Sequence, residues 1–405
     1  MKNIFEKPIK IYEKEIKNRI VIHPMEGCDG TAEGAIDELT RRRYHRFAKS
    51  GAGIIWFEAT AVCPEGRANP RQLFLNKDTK ESFKNLIDEI REISLKENGF
   101  APVIIVQLTH SGRFSKPSGT PEPIVAYRNS HWEIGKEEQP YVVATDEYCR
   151  QIPQRYSEAA KLAEEVGFDG IDIKCCHGYL FNEFLSAKER EGIYGGSLEN
   201  RTRLYFDCID SVKNSVKNIF VTTRLNACDC FPYPFGFGVD KENNIDLSET
   251  KIIIQSLAEK GIELINLTLG NPYLIPHINR PCINAPEDGK IGIKRIYEIT
   301  KELNDAFPDI KFVMSGLSFE GENALDYSAK IIEDGVADFA GFGRMVFAYP
   351  DFYKDYIKNG RLEKNKVCLK CSKCSQLMRN ASVAGCPVRD SEVYMPYYQK
   401  HVLKK

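Results

Sequence analysis

The sequence is short of charge imbalance and of long apolar runs. Lys and Arg number 56 against 57 Asp and Glu, for a formal net charge of −1. No basic field is therefore available to hold nucleic acid or an anionic membrane. No run of 18 apolar residues occurs, so no transmembrane helix is predicted. The N-terminal stretch "MKNIFEKPIKIYEKEIKNR" is charged throughout and lacks the apolar core of a signal peptide. The expected location is the cytoplasm. No low-complexity segment or long linker interrupts the chain, and no Gly-rich dinucleotide fingerprint follows the first apolar run. Cysteine, by contrast, is not scarce: there are 13. In a reducing cytoplasm, clustered Cys point to a metal or redox site rather than to disulfides.

What is present is a regular alternation. Eight short apolar runs suit buried strands: Asn18–Ile22, Gly53–Glu58, Val103–Leu108, Gly170–Lys174, Phe220–Leu225, Glu263–Leu267, Lys311–Ser315 and Ala337–Phe342. Amphipathic patterns lie between them, at Asp37–Ser50, Asp78–Lys96, Pro153–Val166, Leu198–Val216, Ser248–Lys260, Ile291–Ala306, Gly321–Glu333 and Pro350–Lys358. Pro153 reads as a first-turn residue, Ser248 as an N-cap and Gly261 as a stop. Eight strand–helix units predict an α/β chain folded as a (β/α)8 TIM barrel over residues 1–360, with residues 361–405 as a Cys-rich appendage. An open doubly wound sheet is the alternative; it rarely needs eight repeats.

Barrel chemistry sits at the C-terminal ends of the strands. Those ends read "HPMEGCDG", "ATAVCPEGR", "QLTHSGR", "CCHGYLFNEF", Arg224 with Asn226, "TLGNPYLIPHINRP", "SGL" and "GRM". Gly316 after strand seven and Gly343–Arg344 after strand eight occupy the place where barrels commonly bind phosphate. Glycine admits backbone N–H groups to the anion, and Arg supplies a forked cation.

The segments "KNRIVIHPM", "QLTHSGR", "GFDGIDIKCCHGYLFNEFLS", "YGGSLENRTR" and "GFGRMVFAYPDF" run in order across residues 17–352. In them the chain resembles the old yellow enzyme family of FMN-dependent ene-reductases, in particular the branch related to 2,4-dienoyl-CoA reductase and trimethylamine dehydrogenase. The resemblance implies that Pro24, Met25, Ala59 and Gln107 line the isoalloxazine. It places Arg224 near N1 and C2=O, where a fixed cation favours the reduced anion. Gly316, Gly343 and Arg344 would hold the phosphate. Tyr179 would donate a proton to the substrate carbon opposite the hydride, while His177 and Lys174 would polarise the activating carbonyl.

Two positions depart from the family pattern. Lys174 stands where many relatives carry a His; it is expected either to touch substrate or to pair with a carboxylate or the flavin. Glu26 follows the "PM" pair where relatives carry Thr or Cys, and is expected to be protonated or to point away. His277 aligns loosely with an assisting His of the dienoyl-CoA branch. His110 reads as a buried, hydrogen-bonded residue. Cys175 and Cys176 carry no ligand signal.

The last unexplained feature is "VCLKCSKCSQLMRNASVAGCPVRD", with Cys368, Cys371, Cys374 and Cys386 spaced C-x2-C-x2-C-x11-C. Zinc sites more often use two separated C-x2-C pairs, whereas three close thiols and a distant fourth before Pro suit a cubane cluster. The branch named above carries a 4Fe–4S cluster just beyond its barrel with similar spacing. Zinc and free thiols are the alternatives. The expected function is ene reduction of an activated C=C bond in an enone, enoate or enoyl-CoA. NAD(P)H, a ferredoxin or a flavoprotein partner would supply electrons, and an oxygen-poor bacterial cytoplasm would suit the cluster. A homo-oligomer is left open. An amine dehydrogenase or demethylase and a non-catalytic electron-transfer subunit are the rival functions.

Overall fold

A computed structural model describes residues 2–133 and 140–404. Eight parallel strands close into a barrel: β1 Ile20–Ile22, β2 Ile54–Ala61, β3 Val103–Thr109, β4 Gly170–Ile173, β5 Phe220–Asn226, β6 Leu264–Thr268, β7 Lys311–Met314 and β8 Phe339–Phe342. Each pairs with its successor, and β8 closes on β1 through Ala340 opposite Ile20 and Phe342 opposite Ile22. All eight predicted apolar runs are barrel strands, as their near-continuous burial requires when helices cover the outside.

The outer helices are α1 Glu38–Ala48, α2 Lys80–Asn98, α3 Asp146–Val166, α4 Leu198–Ser215, α5 Ser248–Glu259, α6 Gly289–Ala306, α7 Ala324–Glu333 and α8 Phe352–Asn359. Two starts move by three or more residues, and one cap is reassigned. α3 begins seven residues before Pro153, because the Thr145 hydroxyl caps it by accepting from Tyr148 N–H at 3.1 Å. Ser248 is the first helical residue of α5 rather than its cap, its N–H taken by the Asp246 carboxylate at 2.9 Å. α7 begins at Ala324, since Gly321 adopts φ 60° and breaks the preceding 3-10 turn.

An unpredicted hairpin, Ile9–Ile11 paired with Lys14–Ile16, plugs the N-terminal mouth. Its Ile11 and Ile16 pack with Val21, Trp56, Ile105, Val313 and Phe339. Tyr12 at the turn stacks on Phe220 at 4.5 Å, donates to Val221 O at 2.8 Å and accepts from Glu263 N–H at 2.6 Å. Ligand access is thereby left to the opposite end.

Short helices Lys373–Arg379 and Ser391–Tyr398 carry the Cys-rich segment back over that opposite end. Arg42 grips Asp390 with two bonds at 2.8 and 2.9 Å, and Arg46 pairs with the same carboxylate. Ala384 N–H donates to Gly27 O at 2.6 Å, while Val367 and Cys368 join the main core. Among the described residues no helix is long and apolar enough to cross a membrane.

Candidate active site

The C-terminal strand ends surround a cavity of about 340 Å³. Pro24, Met25, Gln107, Lys174, His177, Tyr179, Arg224, Gly316, Gly343 and Arg344 all line it. Ala59 is not among the lining residues: it is buried within β2, where the register against β3 shifts at Phe57, and its carbonyl accepts from Gln72 Nε2 at 3.1 Å.

One side of the cavity is rich in unmet hydrogen-bonding capacity. Arg224 Nε, Arg344 Nη1 and Ser315 Oγ are buried without a partner. Gathered on one wall of the cavity, these three groups are free to bond a ligand. Arg344 is otherwise held by Nη2 donating to Pro281 O at 2.7 Å, and Gly316 sits at φ 86°, which glycine tolerates best. At Gly343 a Cβ would lie 2.7 Å from Met25 Sδ, so a larger residue there would have to push the Met25 side chain aside. Gln107 Nε2 is committed to Asp172 at 2.6 Å, so the group it can offer a ligand is its carbonyl oxygen. Asp172 also accepts from Trp56 Nε1 and from the Arg224 backbone, and burial lifts its carboxyl to about 6. Two forked cations, a carbonyl acceptor and a hydroxyl suit a planar heterocycle bearing a phosphate; FMN meets that description.

The other side holds a polar cluster built on Tyr179. Its hydroxyl donates to Glu26 Oε1 at 3.2 Å and lies 3.0 Å from Tyr273 OH. With its one proton directed at Glu26, Tyr179 must accept from Tyr273. Burial, then Glu26, pushes the Tyr179 phenol well above its ordinary pKa. Lys174 Nζ lies 3.6 Å from the Tyr179 ring centroid and 3.7 Å from Glu26 Oε1. Its own pKa is lowered by burial, with Glu26 opposing. Lys174 thus takes the carboxylate-paired alternative while still facing the cavity. Glu26 does not point away; it lines the cavity as the partner of both residues. Asn279 Nδ2 donates to His177 Nε2 at 3.2 Å, which makes Nε2 an acceptor and leaves the imidazole proton on Nδ1.

His277 is not in the cavity wall; its neighbours Asn279 and Arg280 are. His110 is the buried, bonded residue expected: Gly112 N–H donates to its Nδ1 at 3.0 Å and Tyr148 OH meets its Nε2 at 2.8 Å. Tyr273, Asn279 and Arg280 were overlooked, although all three fall in the quoted segment after β6, where position alone could have flagged them. Phe114, stacked on Tyr273 at 3.6 Å, carries no such signal.

Cys374, Ser375 and Met378 of the C-terminal segment complete the cavity wall. Arg280 Nη1 ties that wall to the barrel through Ser375 Oγ at 2.7 Å, and burial pushes its guanidinium down to about 10. Cys368, Cys371, Cys374 and Cys386 line one small neighbouring pocket with Arg344 and Phe347, so Cys374 borders both spaces. Lys370 N–H points at Cys368 Sγ (3.4 Å) and Arg389 N–H at Cys386 Sγ (3.3 Å). Among the described residues, no group of three or more His, Cys, Asp or Glu is arranged to hold a metal ion.

A profile of the NADH:flavin oxidoreductase / NADH oxidase family matches residues 3–364, so the four thiols lie beyond it. An NADPH dehydrogenase of Bacillus licheniformis is 31% identical over 349 residues, covering 85% of this chain and 91% of its own. An NADH oxidase of Thermoanaerobacter brockii is 28% identical over 368 residues; the match takes in 88% of this chain but 51% of the relative. A 2-naphthoyl-CoA reductase solved with 2-naphthoyl-CoA superposes with a TM-score of 0.79 at 21% identity, over 96% of this chain and 57% of that one. At that identity the likeness is one of fold.

Proposed function

The chain belongs to the NADH:flavin oxidoreductase / NADH oxidase family, that of the old yellow enzymes, and from that premise we propose that it is an FMN-dependent ene-reductase acting on an activated C=C bond. The observation that carries the proposal is the pairing, in one cavity, of orphaned donors for a flavin with a protonated, buried tyrosine. Arg344 and the Gly316 and Gly343 backbones would hold the phosphate, Gln107 the pyrimidine edge, and Arg224 the region where negative charge accumulates. Bound there, FMN supplies hydride transfer between a nicotinamide and a carbon electrophile.

The chain's own residues supply the proton and the polarisation. A phenol held above its ordinary pKa stays protonated at neutral pH, so Tyr179 serves as an acid and not as a base. Its proton would go to the substrate α-carbon. Tyr273, 40% exposed, can then donate to the Tyr179 oxygen and restore it, taking its own proton back from solvent. The Lys174 ammonium over the same ring steadies the negative charge that Tyr179 carries between those two events. His177 Nδ1–H and Lys174 are the donors available to a substrate carbonyl oxygen.

The amine-oxidation rival requires a site for a cationic substrate. Tyr179, Tyr273 and Glu26 do form an aromatic and acidic surround, but it is filled by the chain's own Lys174. A second ammonium there would face like-charge repulsion in a buried setting.

We further propose that Cys368, Cys371, Cys374 and Cys386 hold a 4Fe–4S cluster, which supplies single-electron transfer. Their shared pocket, the two backbone N–H groups aimed at sulfur, and the position of Cys374 on both spaces support that reading. Electrons would come from NAD(P)H or from a ferredoxin or flavoprotein partner. The test is an anaerobic absorbance spectrum before and after NADH or NADPH, with iron and sulfide assayed on the same sample, followed by a cyclic enone. Flavin that bleaches with nicotinamide and recovers with the enone supports ene reduction. Absence of flavin, or an enone that leaves reduced flavin untouched, overturns it. Absence of iron and sulfide overturns the cluster alone.

A further inference from the structure

The segment after β5 reads Ala227–Cys228–Asp229–Cys230, and its two thiols have no part in the site described above. Cys228 Sγ and Cys230 Sγ are 3.3 Å apart, and Cys230 N–H donates to Cys228 Sγ at 3.1 Å. Cys230 adopts φ 56°, a left-handed value uncommon for a residue with a side chain; this tight turn is what folds the two sulfurs onto each other. Cys228 is fully buried, while Cys230 is half-buried and open to small reagents. Cys175 and Cys176 are also adjacent in sequence, but neither reaches solvent. The contact with Cys230, then burial, hold the Cys228 thiol well above its ordinary value, so the half-buried Cys230 is the sulfur open to an incoming disulfide.

We propose that Cys228 and Cys230 form a redox-active dithiol that small-molecule disulfides, glutathione disulfide among them, oxidise reversibly to an intrachain disulfide. The Cys230 thiolate attacks one sulfur of the oxidant, breaks its S–S bond and releases one thiol. Cys228 sulfur then attacks Cys230 Sγ, breaks the mixed disulfide and releases the second thiol. Two electrons pass from the two cysteines to the oxidant, and both S–H protons leave with the released thiols.

The residue between the cysteines connects this dithiol to the active site. The Asp229 carboxylate accepts from Asn226 Nδ2 at 2.6 Å, from Asn182 Nδ2 at 3.2 Å and from Phe237 N–H at 2.8 Å. Asn182 Oδ1 in turn accepts from Gly178 N–H at 2.6 Å, one residue before Tyr179. Closing the sulfurs from 3.3 Å to a bond of about 2.0 Å moves the backbone on both sides of Asp229 and so strains that chain of bonds.

The test titrates the anaerobic holoprotein with glutathione buffers of rising disulfide content, traps free thiols with iodoacetamide and maps tryptic peptides. The peptide Leu225–Lys241 contains Cys228 and Cys230 and no other cysteine. The expected result is a form of this peptide lacking two hydrogens and any alkyl group, reversed by dithiothreitol. NAD(P)H-dependent turnover falls at least threefold in proportion, with flavin and cluster absorbance unchanged. Cys230→Ser keeps its turnover in the same buffers. A peptide that stays doubly alkylated at the most oxidising ratio, or that stops at a glutathione adduct on Cys230, overturns the proposal. Turnover unaffected in fully oxidised protein overturns the link through Asp229. The peptide mass decides the dithiol even if Cys230→Ser fails to fold, and it does so independently of the ene-reductase reading.

Discussion

Removing the Lys174 ammonium should expose how strongly it and Glu26 depend on each other. At 3.7 Å and an effective dielectric near 20, their Coulomb attraction is about 4.5 kcal/mol. Both side chains are largely buried, 3% and 14% exposed, so most of that attraction is spent on desolvation. The net worth of the pair is then small, but deleting one partner strands the other and costs about 3–5 kcal/mol. Lys174→Met and Glu26→Gln should each lose about that much stability, while the double variant should lose much less than the sum. Equilibrium urea unfolding of the flavin-loaded protein, followed by fluorescence of Trp56 and Trp132, gives the cycle. The pH dependence carries a sign. Burial already lowers the Lys174 pKa below 10.5, and losing Glu26 removes the main opposing influence. Above the lowered folded value, up to 10.5, the unfolded chain binds more protons, so stability rises with pH. The Glu26→Gln deficit should therefore be full near neutral pH and narrow as pH climbs toward 10.5. Single costs that add to within about 0.5 kcal/mol in the double variant would refute the pair.

Tyr179→Phe removes one hydroxyl, leaves Glu26 its Lys174 partner, and should cost only about 1 kcal/mol of stability. Enone reduction should drop about 10²–10⁴-fold with flavin reduction by nicotinamide unchanged in stopped-flow traces; equal effects on both half-reactions would point to a structural role. Arg344→Ala takes away a charged donor from the phosphate end and should weaken FMN binding by about 1.5–3 kcal/mol, roughly ten- to a hundredfold, in a flavin fluorescence titration. Burial depresses His110 from 6.5 to about 4, so its stabilising neutrality holds above 6.5 and is lost as pH falls toward 4. That loss amounts to about 3 kcal/mol, and His110→Gln should show a correspondingly shallower acid unfolding slope.

The barrel was legible because its signals are local. Each buried strand is a short apolar run and each helix an amphipathic one, and neither depends on distant residues for its pattern. Strand order then follows from short right-handed crossovers, which put each strand beside its predecessor. The strand ends located the face where the cavity lies, because parallel strands deliver their C-terminal ends to one side, and the resemblance in the quoted motifs singled out its residues from Pro24 to Arg344. Ala59 lies just past a register shift between β2 and β3 and is not among the residues lining the cavity.

Contacts between distant segments carry no such signature. Glu26 and Tyr179 are separated by 153 residues, and nothing near either predicts that one phenol, one carboxylate and one ammonium meet. The same holds for Tyr12, whose hydroxyl reaches Glu263 and Val221 to seal the far mouth. The four thiols could be read as a set from their spacing, but the place of Cys374 in the cavity wall could not; that needed Arg280 on Ser375 and Arg42 on Asp390. Sequence by itself determined the elements and the end of the barrel where chemistry occurs, because periodicity and chain order are properties of neighbours. Only the tertiary structure decided which charges pair and which thiol borders the cavity. Those outcomes depend on burial and on angstrom-scale separations between segments that chain order leaves far apart.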